Sequence, residues 1–357
     1  MNIADITVQN FRSYAKSSFV FSPNTSIIVG PNTSGKTNIL EAIMMMATGK
    51  SFRADRESEV IEWGKEVARI TCRVQEGETK KLELVITAGF VQGSRAPVKK
   101  YTVNDVARRM IEFVGQLRAV LFWPEDMELV TGSPSLRRKY LDTVLVQTDR
   151  EYRRSLLSYE RGLRQRNRLL GSINEGKADR RQLTFWNQLL IRTGSYLTQA
   201  RMGLLDFVNR QTIGGAHYVC QYDKSVISES RLDQYKEEEV AAKATLVGPH
   251  RDDFFIKEIR KEGAMELSRY GSRGEQRLAV LWLKLAELAY IEESTGERPL
   301  LLLDDIFSEL DAEHRETVIQ LVNHQQTIIT SAETEVLSML KKAHIPLEII
   351  SLSLIHS

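Results

Sequence analysis

Apolar and polar residues alternate through most of the first third of the chain, a pattern typical of strands with one buried face. Ile3, Ile6 and Val8 mark a predicted strand at 3–11, which turns at 10–14 toward an apolar stretch at 19–21. Further alternating stretches predict strands at 67–75, 82–87 and 99–103 in an antiparallel sheet. A helix at 105–114 and a strand at 117–123 are predicted to follow.

The period changes to that of a helix from residue 135 to about residue 214. Leu156, Leu163 and Leu170 recur every seven residues, and a second apolar stripe runs from Leu183 to Leu204. The Gly- and Asn-containing segment 171–176 separates the two stripes. The pattern therefore predicts an antiparallel helical hairpin that forms a lobe inserted into another domain.

Strands and helices alternate again in the last part of the chain. Strands are predicted at 218–222, 254–259, 300–303, 327–330 and 347–351, with helices at 231–244, 274–293, 312–324 and 333–343. Such alternation predicts a parallel sheet, which would also contain the apolar strand at 26–29. The predicted fold is α/β with a mixed sheet and an inserted helical lobe, divided into 1–134, 135–214 and 215–357.

The apolar strand at 26–29 runs into a P-loop, G-x-x-x-x-G-K-[ST]. Its residues are Gly30, Pro31, Asn32, Thr33, Ser34, Gly35, Lys36 and Thr37, followed by Asn38. Backbone amides of such a loop and the N-terminus of the next helix bind phosphate oxygens. We expect Lys36 to reach the β- and γ-phosphates of ATP and Thr37 to bind Mg²⁺. The alternative, a Gly-rich turn without a ligand, is disfavoured because a strand precedes the motif and an amphipathic helix follows it.

Four leucines at 300–303 end in Asp304 and Asp305. A buried parallel strand ends in this way when its carboxyl edge lines a nucleotide site. We expect Asp304 to join Thr37 as a ligand of Mg²⁺ and Asp305 to orient or deprotonate the attacking water.

A third motif precedes the helix at 274–293. It consists of Ser272, Arg273, Gly274, Glu275 and Gln276. Ser272 and Glu275 have the spacing of a capping box, which needs no ligand. The segment is also similar to the signature loop of ABC-type ATPases, and Ser308, Glu309, Leu310 and Asp311 stand where those ATPases have the D-loop. In such ATPases each signature loop completes the partner's site, so this similarity implies a two-fold homodimer with two ATP molecules.

Composition restricts the class of protein only loosely. Net charge is +2, the apolar runs are broken by charged residues, no secretory signal is visible, and Cys72 and Cys220 suit a reducing cytoplasm. Seven arginines lie within 150–168, against only Glu151 and Glu160. From charge alone, this run is equally compatible with a solvated helix face and with a phosphate-binding surface.

Segment 124–142, P-E-D-M-E-L-V-T-G-S-P-S-L-R-R-K-Y-L-D, resembles a segment of the RecF family, and so do 10–14, 51–53, 248–253 and 304–311. The resemblance covers essentially the whole chain and implies an ABC/SMC-like ATPase head. It further implies dimerisation on DNA with ATP, slow DNA-stimulated hydrolysis, and partnership with RecR and RecO in loading recombinase at gaps after DNA damage. DNA contacts are then expected at Arg137, Arg138, Arg153, Arg154, Arg161 and Arg164.

Some positions depart from the expected pattern or leave alternatives open. Thr33 stands where the family usually has Gly, and Asp305 is shorter than the Glu of most ABC and SMC heads, which fits slow hydrolysis. Arg12 is a further candidate for a nucleotide contact, and Gln116 is a guess for the Q-loop. His250 with Asp252 and Asp253 is predicted to form a hydrogen-bonded turn beside the nucleotide rather than a metal site. The rival interpretations are another SMC-like ATPase, such as one from a phage-defence system, a transporter ATPase subunit, and a nucleotide-independent scaffold.

Overall fold

The computed structural model describes residues 1–308, 312–332 and 334–353. The chain forms two compact units, one of Met1–Asp126 with Ile291–Ser357 and the other of Met127–Tyr290. The predicted helical lobe at 135–214 lies within the second unit. The three-part division of the sequence stays a prediction. In the described part of the chain, no helix is both long and apolar enough to cross a bilayer.

The strands of the first unit precede and follow those of the second. In chain order the strands are β1 (Asn2–Phe11), β2 (Tyr14–Val20), β3 (Thr25–Val29), β4 (Val67–Glu76), β5 (Glu78–Thr87), β6 (Phe90–Val91), β7 (Ser94–Arg95), β8 (Lys99–Val103), β9 (Val106–Arg108), β10 (Ala119–Phe122), β11 (Tyr218–Asp223), β12 (Asp253–Arg260), β13 (Gly263–Glu266), β14 (Leu300–Asp304), β15 (Thr327–Ser331) and β16 (Leu347–Ser351).

The helices range from single turns to seven turns. In chain order they are α1 (Lys36–Thr48), α2 (Met110–Phe113), α3 (Glu128–Thr131), α4 (Pro134–Thr148), α5 (Arg150–Asn174), α6 (Leu183–Val208), α7 (Glu229–Gln234), α8 (Lys236–Ala242), α9 (Leu267–Tyr270), α10 (Arg273–Thr295), α11 (Ala312–Val322) and α12 (Thr334–Lys342).

The N-terminal strands form an antiparallel sheet in the order β2-β1-β4-β5-β8-β9, which confirms the predicted hairpin and the strands after it. Ile6 of β1 stands opposite Phe19 of β2 and Cys72 of β4, and all three side chains are buried. The alternation of the sequence is therefore the alternation between a buried and a solvated face.

The prediction of a helix at 105–114 is wrong over the first half of that range. Val103 pairs with Val106 across a two-residue turn, and β9 continues to Arg108 before the single-turn helix α2 begins. Asn104 and Asp105 occupy the left-handed region, with φ of 50° and 61°. Asn and Asp tolerate that region better than most residues, so a tight hairpin turn replaces the first helical turn.

The second sheet of the first unit is parallel, in the order β10-β14-β15-β3-β16. The strand that precedes the P-loop lies inside this sheet, because β15 and β16 pair with β3 on either side. Every residue of β14 is buried. The predicted parallel sheet is confirmed for these strands, and their carboxyl ends meet at one edge.

The predicted strands at 218–222 and 254–259 do not join that sheet. β11, β12 and β13 form a separate antiparallel sheet in the second unit. β12 turns back directly into β13, with Arg260 opposite Gly263, and a hairpin of this kind cannot supply a parallel crossover. The helix predicted at 231–244 is two short helices, α7 and α8.

Helices α5 and α6 form the predicted hairpin of the second unit. Gly162 of α5 lies against α6, and a Cβ at this position would be 3.1 Å from Leu189 Cδ2. Leu156, Leu170, Leu190 and Leu204 are buried along the two stripes. The turn begins later than predicted, because α5 continues to Asn174.

Candidate nucleotide-binding site

The P-loop connects the carboxyl end of β3 to the first residue of α1, Lys36. Gly35 has a φ of +89° in the left-handed region, and a Cβ there would lie 2.7 Å from the Tyr14 hydroxyl oxygen. At Gly30 a Cβ would lie 2.8 Å from Ser34 Oγ and from the Leu352 carbonyl oxygen. Both positions therefore require glycine for the loop to close in this form.

Thr33 occupies the left-handed region with a φ of 72°. A β-branched residue is a genuine outlier there, and such a conformation costs on the order of 1–3 kcal/mol. The Thr33 hydroxyl donates a hydrogen bond to the Asn32 carbonyl oxygen. Thr33, at a position where the RecF family usually has glycine, therefore has a backbone conformation that is typical of glycine.

The Lys36 ammonium lies within the loop itself. Its Nζ donates to the carbonyl oxygens of Gly30, at 2.7 Å, and Pro31, at 3.0 Å. Burial lowers the pKa of Lys36, while the charges of Asp305 and Asp304 oppose that shift. Ser34 Oγ is buried and has no hydrogen-bond partner in the described part of the chain. A buried polar atom without a partner is costly, which marks this loop as a place where a ligand can bind.

Thr37 and Asp304 meet at the shared edge of the parallel sheet. Thr37 Oγ1 donates to Asp304 Oδ1 at 3.0 Å, and Thr330 Oγ1 donates to the same oxygen at 2.6 Å. Burial raises the pKa of Asp304, although these two hydrogen bonds act in the opposite direction. Asp305 follows with a φ of 50°, and its N–H donates to the Thr330 carbonyl oxygen at 3.2 Å.

A buried carboxylate behind the P-loop was not anticipated from the sequence. Glu41 of α1 is fully buried and binds two guanidinium groups, since Arg12 Nη2 and Arg53 Nη2 each lie 2.6 Å from one of its oxygens. Burial opposes its ionisation, but hydrogen bonds from Arg12, Ser51 and Arg53 outweigh burial and hold the pKa of Glu41 below its usual value. The predicted nucleotide contact Arg12 is therefore fixed against α1.

Arg53 is the second functional candidate that the residue patterns did not single out. Its Nη2 also donates to Asn38 Oδ1 at 2.6 Å, and its charge opposes the rise that burial causes in the pKa of Asp304. Asn38 in turn donates to Ser13 Oγ at 2.9 Å. The sequence pointed to Arg12 and Arg53 only through segments 10–14 and 51–53, which resemble segments of the RecF family.

Gln116 lies at the wrong end of the sheet for the guessed role in a Q-loop. It precedes β10, whose first residue, Ala119, pairs with Leu300 at the start of β14. Asp304 stands at the opposite end of β14. Gln116 Oε1 accepts a hydrogen bond from Lys80 Nζ at 3.3 Å instead.

The signature-like segment belongs to the second unit and begins α10. The capping box is formed in full, because Ser272 N–H donates to Glu275 Oε2 at 2.7 Å and Glu275 N–H donates to Ser272 Oγ at 3.3 Å. Arg260 also pairs with Glu275, and Gln276 Nε2 donates to the carbonyl oxygen of Leu267 at 2.9 Å. Ser272, Arg273 and Gly274 are exposed. The capping interpretation is confirmed, and the signature interpretation stays a prediction.

Only part of the predicted D-loop can be placed. Ser308 Oγ donates to the Asp305 carbonyl oxygen at 2.7 Å. Glu309, Leu310 and Asp311 lie outside the described residues.

The structure divides the predicted DNA-contacting arginines into two groups. Arg137 is buried and its guanidinium binds both oxygens of Asp253, at 2.6 and 2.9 Å. Arg153 is buried and donates to the Val146 carbonyl oxygen. The predicted DNA contacts at Arg137 and Arg153 are therefore wrong, because a buried and internally bonded guanidinium cannot reach a phosphate of a bound DNA. Half-buried Arg138 donates to the Asp252 carbonyl oxygen at 2.7 Å, whereas Arg154, Arg161 and Arg164 are exposed.

The 248–253 segment forms a hydrogen-bonded turn. His250 is bonded to the Tyr159 hydroxyl and to the Thr245 carbonyl oxygen, at 2.8 and 3.0 Å, and burial lowers its pKa to about 4. Asp252 Oδ2 accepts from Arg201 Nη1 at 3.0 Å. No group of three or more metal-ligating side chains occurs among the described residues.

Comparison with known proteins identifies the family of this chain. A family model described as "RecF/RecN/SMC N terminal domain" matches residues 2–349. "DNA replication and repair protein RecF" of Roseiflexus castenholzii is 34% identical to this chain, with 94% of each chain covered. The protein of the same name from Herpetosiphon aurantiacus is 36% identical, again with 94% of each chain covered. The chain belongs to the RecF family.

A solved structure of RecF agrees with this assignment. The "recombination mediator protein RecF-ATP in RecFOR pathway" superimposes with a TM-score of 0.83 and 30% identity, over 93% of this chain and 92% of that chain. The ABC/SMC-like head that the resemblance implied is thereby confirmed. Membership of the RecF family also sets aside the transporter, scaffold and phage-defence alternatives.

Proposed function

We propose that this chain binds ATP with Mg²⁺ at the P-loop edge and hydrolyses it slowly, as a switch in DNA replication and repair. The observation that carries the proposal is the 3.0 Å hydrogen bond between Thr37 Oγ1 and Asp304 Oδ1. It places the P-loop hydroxyl beside the acidic strand end, the pairing that P-loop ATPases use for Mg²⁺. The solved RecF described with ATP supports the choice of nucleotide.

The residues present fit both ligands. Ser34 Oγ is buried without a partner, and Gly30 and Gly35 leave no room for a side chain in the loop. Mg²⁺ is commonly held by one or two carboxylates together with phosphate oxygens and water, so Thr37 and Asp304 form a suitable donor set. Bound Mg²⁺ supplies neutralisation of the charge that develops on the phosphate oxygens during transfer.

Each residue of the chain then has a defined task. The Lys36 ammonium now bonded to loop carbonyls is the cation available to the β- and γ-phosphates, and the loop amides hold the phosphates in place. Asp305 orients the attacking water or accepts its proton. Its side chain is one methylene shorter than glutamate, which fits slow turnover. Arg12, held against Glu41, is the candidate for a further nucleotide contact.

The second half of the site comes, in this proposal, from another copy of the chain. Ser272, Arg273, Gly274, Glu275 and Gln276 form the signature in trans, and Ser308, Glu309, Leu310 and Asp311 form the D-loop beside the partner's nucleotide. Exposure of Ser272 and Gly274 at the start of α10 supports this assignment. Two chains related by a two-fold axis would then enclose two ATP molecules.

DNA is the proposed partner of the dimer, in particular gapped DNA and single-strand to double-strand junctions. The printed names of the relatives, which refer to DNA replication and repair and to the RecFOR pathway, support this choice. We further propose that the chain acts in the cytoplasm with RecR and RecO, where ATP-dependent dimerisation helps load recombinase at gaps and DNA stimulates the weak ATPase.

Replacement of Lys36 by Ala tests the nucleotide site. We expect ATP affinity to fall by roughly tenfold to a hundredfold, because the cation assigned to the β- and γ-phosphates is removed. A hydrogen bond to a charged group contributes about 1.5–3 kcal/mol. Titration with a fluorescent ATP analogue measures the affinity, and a melting curve checks the fold. Lys100→Ala, on the exposed face of β8, is the matched control. Unchanged affinity in Lys36→Ala would contradict the assignment of the P-loop.

A further inference from the structure

The arginines of α5 fall into two sets with different surroundings. Arg153 and Arg166 are buried and bonded within the protein, and Arg166 Nη2 lies 2.6 Å from Glu239 Oε2. The other five arginines of the helix are exposed. They are Arg150, Arg154, Arg161, Arg164 and Arg168.

The exposed set lies along one side of the helix. At about 100° per residue, these five positions fall within an arc of roughly 80°. From Arg150 to Arg168 the helix rises about 27 Å at 1.5 Å per residue. We call these five residues the arginine stripe.

The opposite side of α5 is firmly packed. Tyr152, Leu156 and Tyr159 are buried there, and Arg166 also donates to Thr245 Oγ1 at 2.9 Å and Asn187 Oδ1 at 2.8 Å. At the N-terminus, Asp149 accepts hydrogen bonds from the first backbone amides of the helix. The stripe is therefore presented by a rigid element rather than by a loop.

Most of the charge of the stripe is not neutralised within the protein. Arg154 is 72% exposed and reaches Glu151 only at 3.7 Å, an exposed pair of the kind that contributes little. Arg161, Arg164 and Arg168 form no ion pair with any other residue in 1–308, 312–332 and 334–353. Elsewhere in the second unit, Arg137 and Arg201 are buried against aspartates. The contrast indicates that the stripe is available to an external polyanion.

We propose that the arginine stripe is the surface of this chain that binds the phosphate backbone of duplex DNA, an inference that rests on the proposed DNA-binding function. Guanidinium groups bind phosphate in a bidentate manner, and every cation of the stripe is an arginine. The stripe carries no aromatic side chain on which an unpaired base could stack, which favours duplex over single-stranded DNA. The binding is independent of base sequence, because the contacts go to phosphates.

The test is the triple variant Arg161→Gln, Arg164→Gln and Arg168→Gln. The control variant removes an equal number of positive charges from the first unit. It replaces the exposed residues Arg95, Arg108 and Arg109 by Gln. Affinity for a duplex of mixed sequence, and for one of its single strands, is measured between about 50 and 300 mM salt, with ATP affinity and melting curves as checks. The stripe variant should reduce the magnitude of the slope of log affinity against log salt by about 2.7, with roughly a five-hundredfold loss of affinity near 0.1 M salt. The control should keep the wild-type slope.

The possible outcomes distinguish DNA binding by the arginine stripe from the proposed DNA binding of the chain as a whole. Wild-type protein that fails to bind any DNA would overturn both. Wild-type binding together with an unchanged slope in a folded stripe variant would overturn the stripe alone. Equal losses in the stripe and control variants, or a loss confined to single-stranded DNA, would also overturn it. Loss of duplex affinity in the stripe variant with retained ATP affinity supports it.

Discussion

The P-loop edge of the first unit and the signature segment of the second differ in how far their polar groups are exposed to solvent. At the P-loop edge, Lys36, Thr37 and Asp304 all have partners within their own unit. In the signature segment, the hydrogen bonds serve only the start of α10, while Ser272 and Arg273 face solvent and the neighbouring Tyr270 is 71% exposed. One region is assembled before a ligand arrives, and the other presents groups outward. This difference supports the proposed site shared between two chains.

Asp305 belongs to the assembled region but is assigned a chemical task. Asp305→Asn should lower the ATPase rate by roughly a hundredfold or more, since an amide cannot accept the proton of water. ATP affinity should be retained, because Lys36 and the loop amides are unchanged. Single-turnover hydrolysis and an ATP titration measure the two quantities separately. A variant that hydrolyses ATP at the wild-type rate would show that Asp305 is not the catalytic carboxylate.

Glu41 tests whether the assembled region depends on its buried carboxylate. Glu41→Ala leaves the guanidinium groups of Arg12 and Arg53 without their shared anion. Breaking a buried ion pair costs about 3–5 kcal/mol, and we expect the lower end because both arginines are partly exposed. Urea unfolding measures the loss of free energy. Asp55→Ala, an exposed carboxylate in the same unit, is the control.

The pH dependence of stability gives a smaller and more specific effect of the same residue. The folded-state pKa of Glu41 lies below its usual value, so its contribution is complete above the unfolded pKa near 4.5. The contribution is lost as pH falls through the folded value. The Glu41→Gln variant should therefore be less stable than wild type at neutral pH. The difference in the free energy of unfolding should shrink as the pH falls below the unfolded pKa of Glu41 and through its folded pKa. A constant difference between the two proteins from pH 6 to pH 3 would contradict the linkage.

What could be predicted from the sequence was local in character. The P-loop, the acidic strand end and the hairpin of α5 and α6 follow from short motifs and from periodicity, and the structure has them where the sequence placed them. The antiparallel sheet of β11, β12 and β13 depends on pairing between distant segments, which periodicity does not encode. The turn at Asn104 and Asp105 was missed because a helical period was extended across it.

Charged residues were the hardest to interpret. Arg153 and Arg154 are neighbours in the same arginine-rich run, but the former is buried and bonded to the Val146 carbonyl oxygen, whereas the latter is solvated. Glu41 offered no signal of its role, since its partners Arg12 and Arg53 lie 29 and 12 residues away. Only tertiary packing distinguishes a guanidinium that stabilises the fold from one that can bind a ligand.

Sedimentation of variants at Ser272 tests whether ATP joins the P-loop edge of one chain to the exposed signature segment of another. Wild-type protein should shift from monomer to dimer with ATP and Mg²⁺. Ser272→Arg and Ser272→Asp should both bind ATP and stay monomeric, because neither side chain can replace the hydroxyl against a γ-phosphate. Asp is a good N-cap, so the Asp variant should keep the melting curve of wild type. If both variants dimerise with ATP as wild type does, Ser272 serves only as a cap and the shared site is contradicted.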